Sequence, residues 1–277
     1  MPLLTLTSDI GLQDFMPAAI KGQIMQIDSS FNIIDVTHLL SPFNYPQAAY
    51  VCHNAITNFP SGTFHLIMIN LFDEKSNHLL LVQHNGHYIG CADNGLITMI
   101  LGEEPQKIVA IPIENSLPKN VLNFTKIFAA AFAKINTGIA LEQLGSNNVT
   151  YKIQNTLRPM LGNNWIEGQI IFIDNFENVI INITKKDFET HRNGRKFSIV
   201  FKRDEIIEKI SETYSDVSEG EKLALFNSAG YLEIAINKGN AAGLFGLQSY
   251  AEKQQKVMQV QFANNNIFYQ TVKVFFE

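Results

Sequence analysis

The sequence predicts an α/β protein: an N-terminal layered α/β domain followed by a smaller C-terminal β-barrel domain. Three observations carry this. Through residues 1–150, apolar strand-length runs alternate with helix-length runs, the pattern of a layered α/β domain. Through residues 166–277, short strand-like runs follow one another with few credible helices, which reads as a barrel. Residues 151–165 lie in a stretch rich in Asn, Gly and other turn formers, read as a linker.

The elements follow in chain order. Leu3, Leu4 and Leu6 supply apolar bulk for a first strand. Gly11 then permits a turn that other residues resist. Asp14 is placed to cap a helix whose apolar positions include Phe15, Ala18, Ala19 and Ile20, with Pro17 tolerated in its first turn. "NIIDVT" (32–37) and "TFHLIMIN" (63–70) read as buried strands, and "YPQAAYVCHNAITNF" (45–59) between them as a helix presenting Ala48, Ala49, Cys52 and Ile56. "HLLLVQHNGHYIGCA" is a hairpin turning at Asn85-Gly86. "KIVAIPI" (107–113) is a further strand and "TKIFAAAFAKI" (125–135) a helix. Beyond the linker come "GQIIFIDNF", "NVIINIT", "KFSIVF", "LALFNSAGYLEIAIN", "KVMQVQF" and "YQTVKVFF", all strand-like.

Composition narrows the function classes. The chain has 277 residues, 46% of them hydrophobic, enough for one large or two smaller cores. A net charge of −5 with scattered Lys and Arg argues against binding nucleic acid by phosphate neutralisation. Two cysteines, Cys52 and Cys91, make no disulfide framework and fit a reducing compartment. "MPLLTLTSD" lacks a basic n-region, and "IFAAAFAKI" is too short to cross a bilayer. The expectation is a cytoplasmic protein that engages neither membrane nor nucleic acid.

Several motifs of catalysis are missing. No G-x-G-x-x-G follows the first strand, and there is no Walker A motif or G-x-S-x-G elbow. His84, His87 and Cys91 have zinc-binding side chains, but no fourth ligand or paired C-x-x-C accompanies them, and no metal site is expected. Asp9 is expected at the carboxyl end of the first strand, where open α/β sheets bind ligands. There it either holds a hydroxyl pair or a cation, or caps its own turn. In "FIDNFENVIINI" (172–183), Asp174 and Asn178 either close a hairpin or converge on one polar ligand, an asparagine amide being able to read adenine. In "LFNSAGYLEIAINKGNAA" (225–242), Ser228 and the loop at Asn237-Lys238 form ordinary turns or line a pocket.

Six stretches in order, "LTSDIGLQDFMPAAIKGQI", "IIDVTHLLSPFNYPQAAYV", "FPSGTFHL", "ADNGLIT", "IDNFENVIINI" and "NSAGYLEIAINKGNAAGLFGL", resemble the S-adenosylmethionine hydrolases, also called S-adenosylmethionine hydroxide adenosyltransferases, of the fluorinase and chlorinase superfamily. The resemblance covers nearly the whole chain. It implies an α/β domain followed by a β-barrel. It also implies a homotrimer with active sites shared between subunits, and hydrolysis of S-adenosylmethionine, as substrate and without a cofactor, to adenosine and methionine. By the same resemblance Asp9 binds the ribose diol and Phe43 packs on the nucleoside. Asp174 binds the methionine ammonium, Asn178 lies at the adenine side, Ser228 takes the methionine carboxylate, and Asn237 and Lys238 offer backbone groups to adenine.

The chain departs from the family at the water-activating residues. The V-D-P-G-V-G…Arg pattern and the His of F-H-G-R-D fall on Asn70, Asn77 and Asn123, and an amide is no base near neutral pH. Asp73, Glu74 and His78 stand in the same loop as substitutes, or are solvated loop charges. The rival expectation is a non-catalytic S-adenosylmethionine- or adenosine-binding protein that has lost these residues.

Overall fold

The computed structural model describes residues 1–73, 77–114, 116–202, 205–247 and 270–277. Glu74 and the strand expected at "KVMQVQF" (256–262) lie outside the described residues. The chain divides into two compact units, Met1–Thr156 and Leu157–Glu277.

The N-terminal unit contains β1 (Leu3–Ser8), α1 (Met16–Ile27), β2 (Asn32–Thr37), α2 (Tyr45–Thr57), β3 (Phe64–Met68), β4 (His78–His84), β5 (His87–Ala92), α3 (Leu96–Leu101), β6 (Lys107–Pro112) and α4 (Val121–Asn136). Its sheet runs β2-β1-β3-β5-β4-β6. β1, β2, β3 and β5 pair in parallel, while β4 is antiparallel to both β5 and β6. β4 is therefore reversed relative to the other described strands of this sheet, and its first residue lies where its neighbours end.

Strand alternation builds a core on each face. Leu66, Met68, Leu79 and Leu81 pack with Ile20 and Ile24 of α1 and Phe128 and Phe132 of α4. Ile67, Ile69, Leu80 and Val82 pack with Ala48, Cys52 and Ile56 of α2 and Leu96 and Ile97 of α3. The face expected of α2 is the one buried. In α1 the buried positions are Pro17, Ile20 and Ile24, whereas Phe15 is exposed and stands before the first turn. The N-cap position falls on Phe15, with no side-chain cap bond, and Asp14, one residue before it, accepts from the Met16 N–H at 2.8 Å. α3 has no periodic pattern because it is buried nearly all round.

The C-terminal unit contains β7 (Met160–Leu161), β8 (Trp165–Ile173), β9 (Val179–Thr184), α5 (Lys185–Arg192), β10 (Phe197–Lys202), β11 (Glu205–Ile207), β12 (Lys222–Phe226), β13 (Tyr231–Ile236) and β14 (Thr271–Phe276). The strands follow the order β11-β10-β14-β8-β9-β13-β12, with β7 added on β8, and every pair is antiparallel. A bridge between Ile210 and Ala224 joins the two ends of that order, so the sheet nearly closes into the expected barrel. Its interior holds Ile166, Ile181, Ile199, Leu232, Ile234, Val272 and Val274, with Phe188 of α5 plugged among Phe197, Phe226 and Phe276. No described helix is long and apolar enough to cross a membrane.

Candidate functional site

The carboxyl edge of the N-terminal sheet gathers polar groups from four strands. β1 ends at Ser8, whose hydroxyl bonds His38 Nδ1 at 2.7 Å. Gly11, at φ +80°, then donates its N–H to the His38 carbonyl, a turn conformation that L side chains rarely adopt. Between them Asp9 turns its carboxylate inward, where Oδ2 accepts from the Asn70 backbone N–H at 2.9 Å. Burial lifts the Asp9 carboxyl above its ordinary range, and that N–H offsets part of the shift.

Asn70 follows β3 and is the hinge of the site. It holds a left-handed backbone at φ +47°, and its Oδ1 accepts from the Phe43 N–H at 3.1 Å. Its Nδ2 is buried and meets no hydrogen-bond partner among the described residues. A donor left so is costly, of order 1–3 kcal/mol, unless a water or ligand serves it. Phe43 is itself left-handed, at φ +60°, with a ring 68% exposed.

Asn70 lines a cavity of about 190 Å³, shared with Leu71, Phe72, His78, Asp93, Lys119 and Phe124 among others. In it His78 Nε2 lies 2.9 Å from Asp93 Oδ2. The other Asp93 oxygen accepts from the Lys152 N–H at 2.8 Å. The "ADNG" residues after β5 thus build the site as well as turn the chain. Asn94 donates to the Ile69 carbonyl at 2.9 Å, fastening the end of β3. Gly95, at φ +87°, lets Gln154 approach to where a Cβ would meet it at 2.6 Å.

The other loop candidates lie outside this lining. Asp73 accepts from the Tyr45 hydroxyl at 2.7 Å. Asn77 accepts from Lys119 at 3.4 Å. Asn123 donates to the Pro118 carbonyl at 2.8 Å, its N–H held by the Asn120 cap. Of the amides of Asn70, Asn77 and Asn123, the cavity takes in Asn70, and with it His78.

In the C-terminal unit, Asp174 follows β8. Its Oδ1 accepts from the N–H groups of Phe176 and Asn178 at 2.9 and 2.8 Å, and its Oδ2 from Asn178 Nδ2 at 3.0 Å. Asn178 lines a cavity of about 340 Å³ with Phe176, Tyr214, Ile236, Lys238 and Gly239. Behind it the Tyr214 hydroxyl donates to buried Glu233 at 2.7 Å. Burial, then the acceptor Glu233, push the phenol upward; burial also raises the Glu233 carboxyl. Ser228 sits exposed in the turn Asn227–Gly230, pinned where Asn227 Oδ1 accepts the Ala229 and Tyr231 N–H groups. Asn237 donates to the Val217 carbonyl, and Lys238, at φ +54°, bonds Glu219.

His84, His87 and Cys91 do not converge on one point. His84 pairs with Glu103 at 3.0 Å, His87 meets His65 at 3.1 Å, and burial pushes the Cys91 thiol far up. No cluster of His, Cys, Asp and Glu among the described residues is arranged for a metal ion.

The two halves match two family models: SAM hydroxide adenosyltransferase N-terminal domain over residues 4–145, and the C-terminal domain over 168–254. The chain belongs to the SAM hydroxide adenosyltransferase family. An (R)-S-adenosyl-L-methionine hydrolase of Methanocaldococcus jannaschii is 29% identical over 258 residues, covering 89% of this chain and 93% of that one. A fluorinase of Nocardia brasiliensis is 23% identical, covering 92% and 97%. An uncharacterised conserved protein of Thermotoga maritima has the same fold, with a TM-score of 0.79 at 24% identity over 99% of each chain. Asp93 and Asn94 line the cavity, and the sequence pattern assigned a chemical role to neither of them. The signal was present in "ADNGLIT", a stretch recognised without a role.

Proposed function

We propose that this chain hydrolyses S-adenosylmethionine to adenosine and methionine by in-line attack of water on C5′. The observation that carries the reading is the carboxyl-edge cavity, lined by Asn70, His78 and Asp93, where Asn70 also holds the Asp9 carboxylate by its backbone N–H and keeps a buried Nδ2 without a partner among the described residues. Asp9 grips the ribose diol, and the exposed ring of Phe43 packs on the nucleoside. The unserved Asn70 amide suits a water. The sulfonium is already a good leaving group, so alignment of water, C5′ and sulfur supplies much of the barrier reduction and no cofactor is called for.

In the C-terminal unit, Asp174 binds the methionine ammonium. A carboxylate has about four lone-pair sites and three are engaged, which leaves one for a ligand cation. Asn178 stands at the adenine side of a cavity with apolar walls. Because Lys238 reaches away to Glu219, it is the Asn237–Lys238 backbone that adenine meets, while Ser228 takes the methionine carboxylate. The assembly that goes with this reading is a homotrimer with shared sites, and light scattering at micromolar concentration tests it. A stable monomer that binds ligand tightly would refute the shared site.

Incubation with S-adenosylmethionine in 18O-water should release adenosine carrying the label at its 5′-hydroxyl, with unlabelled methionine. Clear binding of S-adenosylmethionine by concentrated protein without any release of adenosine would overturn hydrolysis and leave the non-catalytic binder.

A further inference from the structure

We propose that Asp93 is a positioning residue that makes His78 the base of this cavity, a couple standing in for the ionisable groups replaced by Asn70, Asn77 and Asn123. The inference rests on the hydrolase reading above.

Sheet register brings the two residues together. Leu79 pairs with Ala92 across β4 and β5, so His78 and Asp93 are the next residues outward on the two chains. Their contact is 2.9 Å, between His78 Nε2 and Asp93 Oδ2. An ionised carboxylate only accepts, so Nε2 carries the hydrogen and the neutral ring is basic at Nδ1. Asp93 is itself fixed: its second oxygen accepts the Lys152 N–H, and its side chain is 10% exposed against 28% for His78. The acid is thus sheltered and the imidazole reachable.

The other polar groups lining the cavity serve different ends. Asn70 offers an amide, which holds a water but does not take its proton, and the Asn94 amide is engaged by the Ile69 and Asn70 carbonyls and the Leu96 N–H. Lys119 brings donors and no acceptor. Asp9, one residue away through Asn70, is assigned to the diol. In the step, a water O–H bond breaks and its proton passes to His78 Nδ1. The water oxygen bonds C5′ as the C5′–S bond breaks, and its electron pair turns the sulfonium into the thioether of methionine. The imidazolium then returns the proton to solvent.

The test uses wild type, His78→Gln, Asp93→Asn and the double variant. Nitrogen-15 NMR of His78 in the ligand-free protein should show the Nε2–H tautomer in wild type. It should show the Nδ1–H tautomer in Asp93→Asn, because the new amide keeps its oxygen on Lys152 and presents a donor to Nε2. With S-adenosylmethionine, each single variant should lose on the order of 10²–10⁴-fold in kcat with KM little changed, and the double variant no more than the worse single. Circular dichroism checks that each variant folds. An active wild type with an equally active, folded Asp93→Asn, or an unchanged tautomer in that variant, would overturn the couple while leaving the hydrolase reading intact. A wild type that binds S-adenosylmethionine and releases no adenosine would overturn the hydrolase reading, and the base role with it.

Discussion

Asp9 and Asp174 each follow a strand and meet an asparagine, yet the two surroundings are opposite. Asp174 has both oxygens engaged by its own turn, with three donors at 2.8–3.0 Å, one of them the amide of Asn178. Asp9 meets the backbone N–H of its asparagine and is lifted in pKa by burial, and the Asn70 side-chain Nδ2 has no partner among the described residues. Left-handed non-glycine residues occur on both sides, Phe43 and Asn70 near Asp9 and Glu177 in the Asp174 turn, so the contrast rests on the unpartnered Asn70 amide. One carboxylate holds its loop together; the other is held by its surroundings in a state they serve incompletely. Unserved buried polar groups concentrate where a water or ligand supplies what is lacking, and among the described residues that group, the Asn70 amide, is on the Asp9 side.

The largest effect expected from breaking this contrast is structural. Asp174→Ala removes a charged acceptor from three bonds worth roughly 1.5–3 kcal/mol each, with water replacing part, so urea unfolding should show a loss of roughly 2–4 kcal/mol. Asp174→Asn should retain most of that stability and still weaken S-adenosylmethionine binding; unchanged affinity would leave Asp174 with the scaffold role alone. Next, Asp9→Ala should weaken adenosine binding at least about tenfold, about 1.4 kcal/mol by calorimetry, with little change in unfolding. Equal affinity would remove Asp9 from the site.

Phe43→Gly tests the strain at one of these left-handed residues. Relief of the left-handed backbone, roughly 1–3 kcal/mol, exceeds the entropic cost of glycine, so stability should rise by about 1 kcal/mol while adenosine affinity falls. A variant less stable than wild type would mean that the Phe43 backbone is not strained. The smallest effect concerns pH. The folded Glu233 carboxyl lies above its unfolded value of 4.5, so the penalty of ionising it is absent below that value and grows as pH rises through the folded one. Glu233→Gln, which keeps an acceptor for Tyr214, should therefore stabilise the protein at pH 7 and not at pH 4; an equal change at both would show that the charge is not the cause.

Elements with a periodic apolar face, or a turn pair as distinctive as Asn85-Gly86, were legible in the sequence. α5 was not: its Thr184 cap accepts from Asp187, but the charged helix buries Phe188 alone and shows no apolar stripe. α3 failed for the opposite reason, being apolar on every side. At the site, Asp9 could be placed from its strand, because the end of a strand is a local property. The partnership of Asp9 with Asn70, 61 residues apart, and of His78 with Asp93 depends on which strands are neighbours and which way they run. The amide assigned to Asn123 was readable as a residue type, but not its engagement with the Pro118 carbonyl.

The reversed direction of β4 has a further consequence. A parallel strand contributes its tail to the carboxyl edge, and the chain then leaves through a helix. The connection from Asn70 to His78 both departs from and returns to that edge, since β3 ends there and β4 begins there. Asn70, Leu71 and Phe72 line the chamber from this connection and belong to no strand pairing, so an exchange at them changes the chamber and leaves the sheet register as it is. One segment can thus vary the wall of the chamber while the sheet stays fixed.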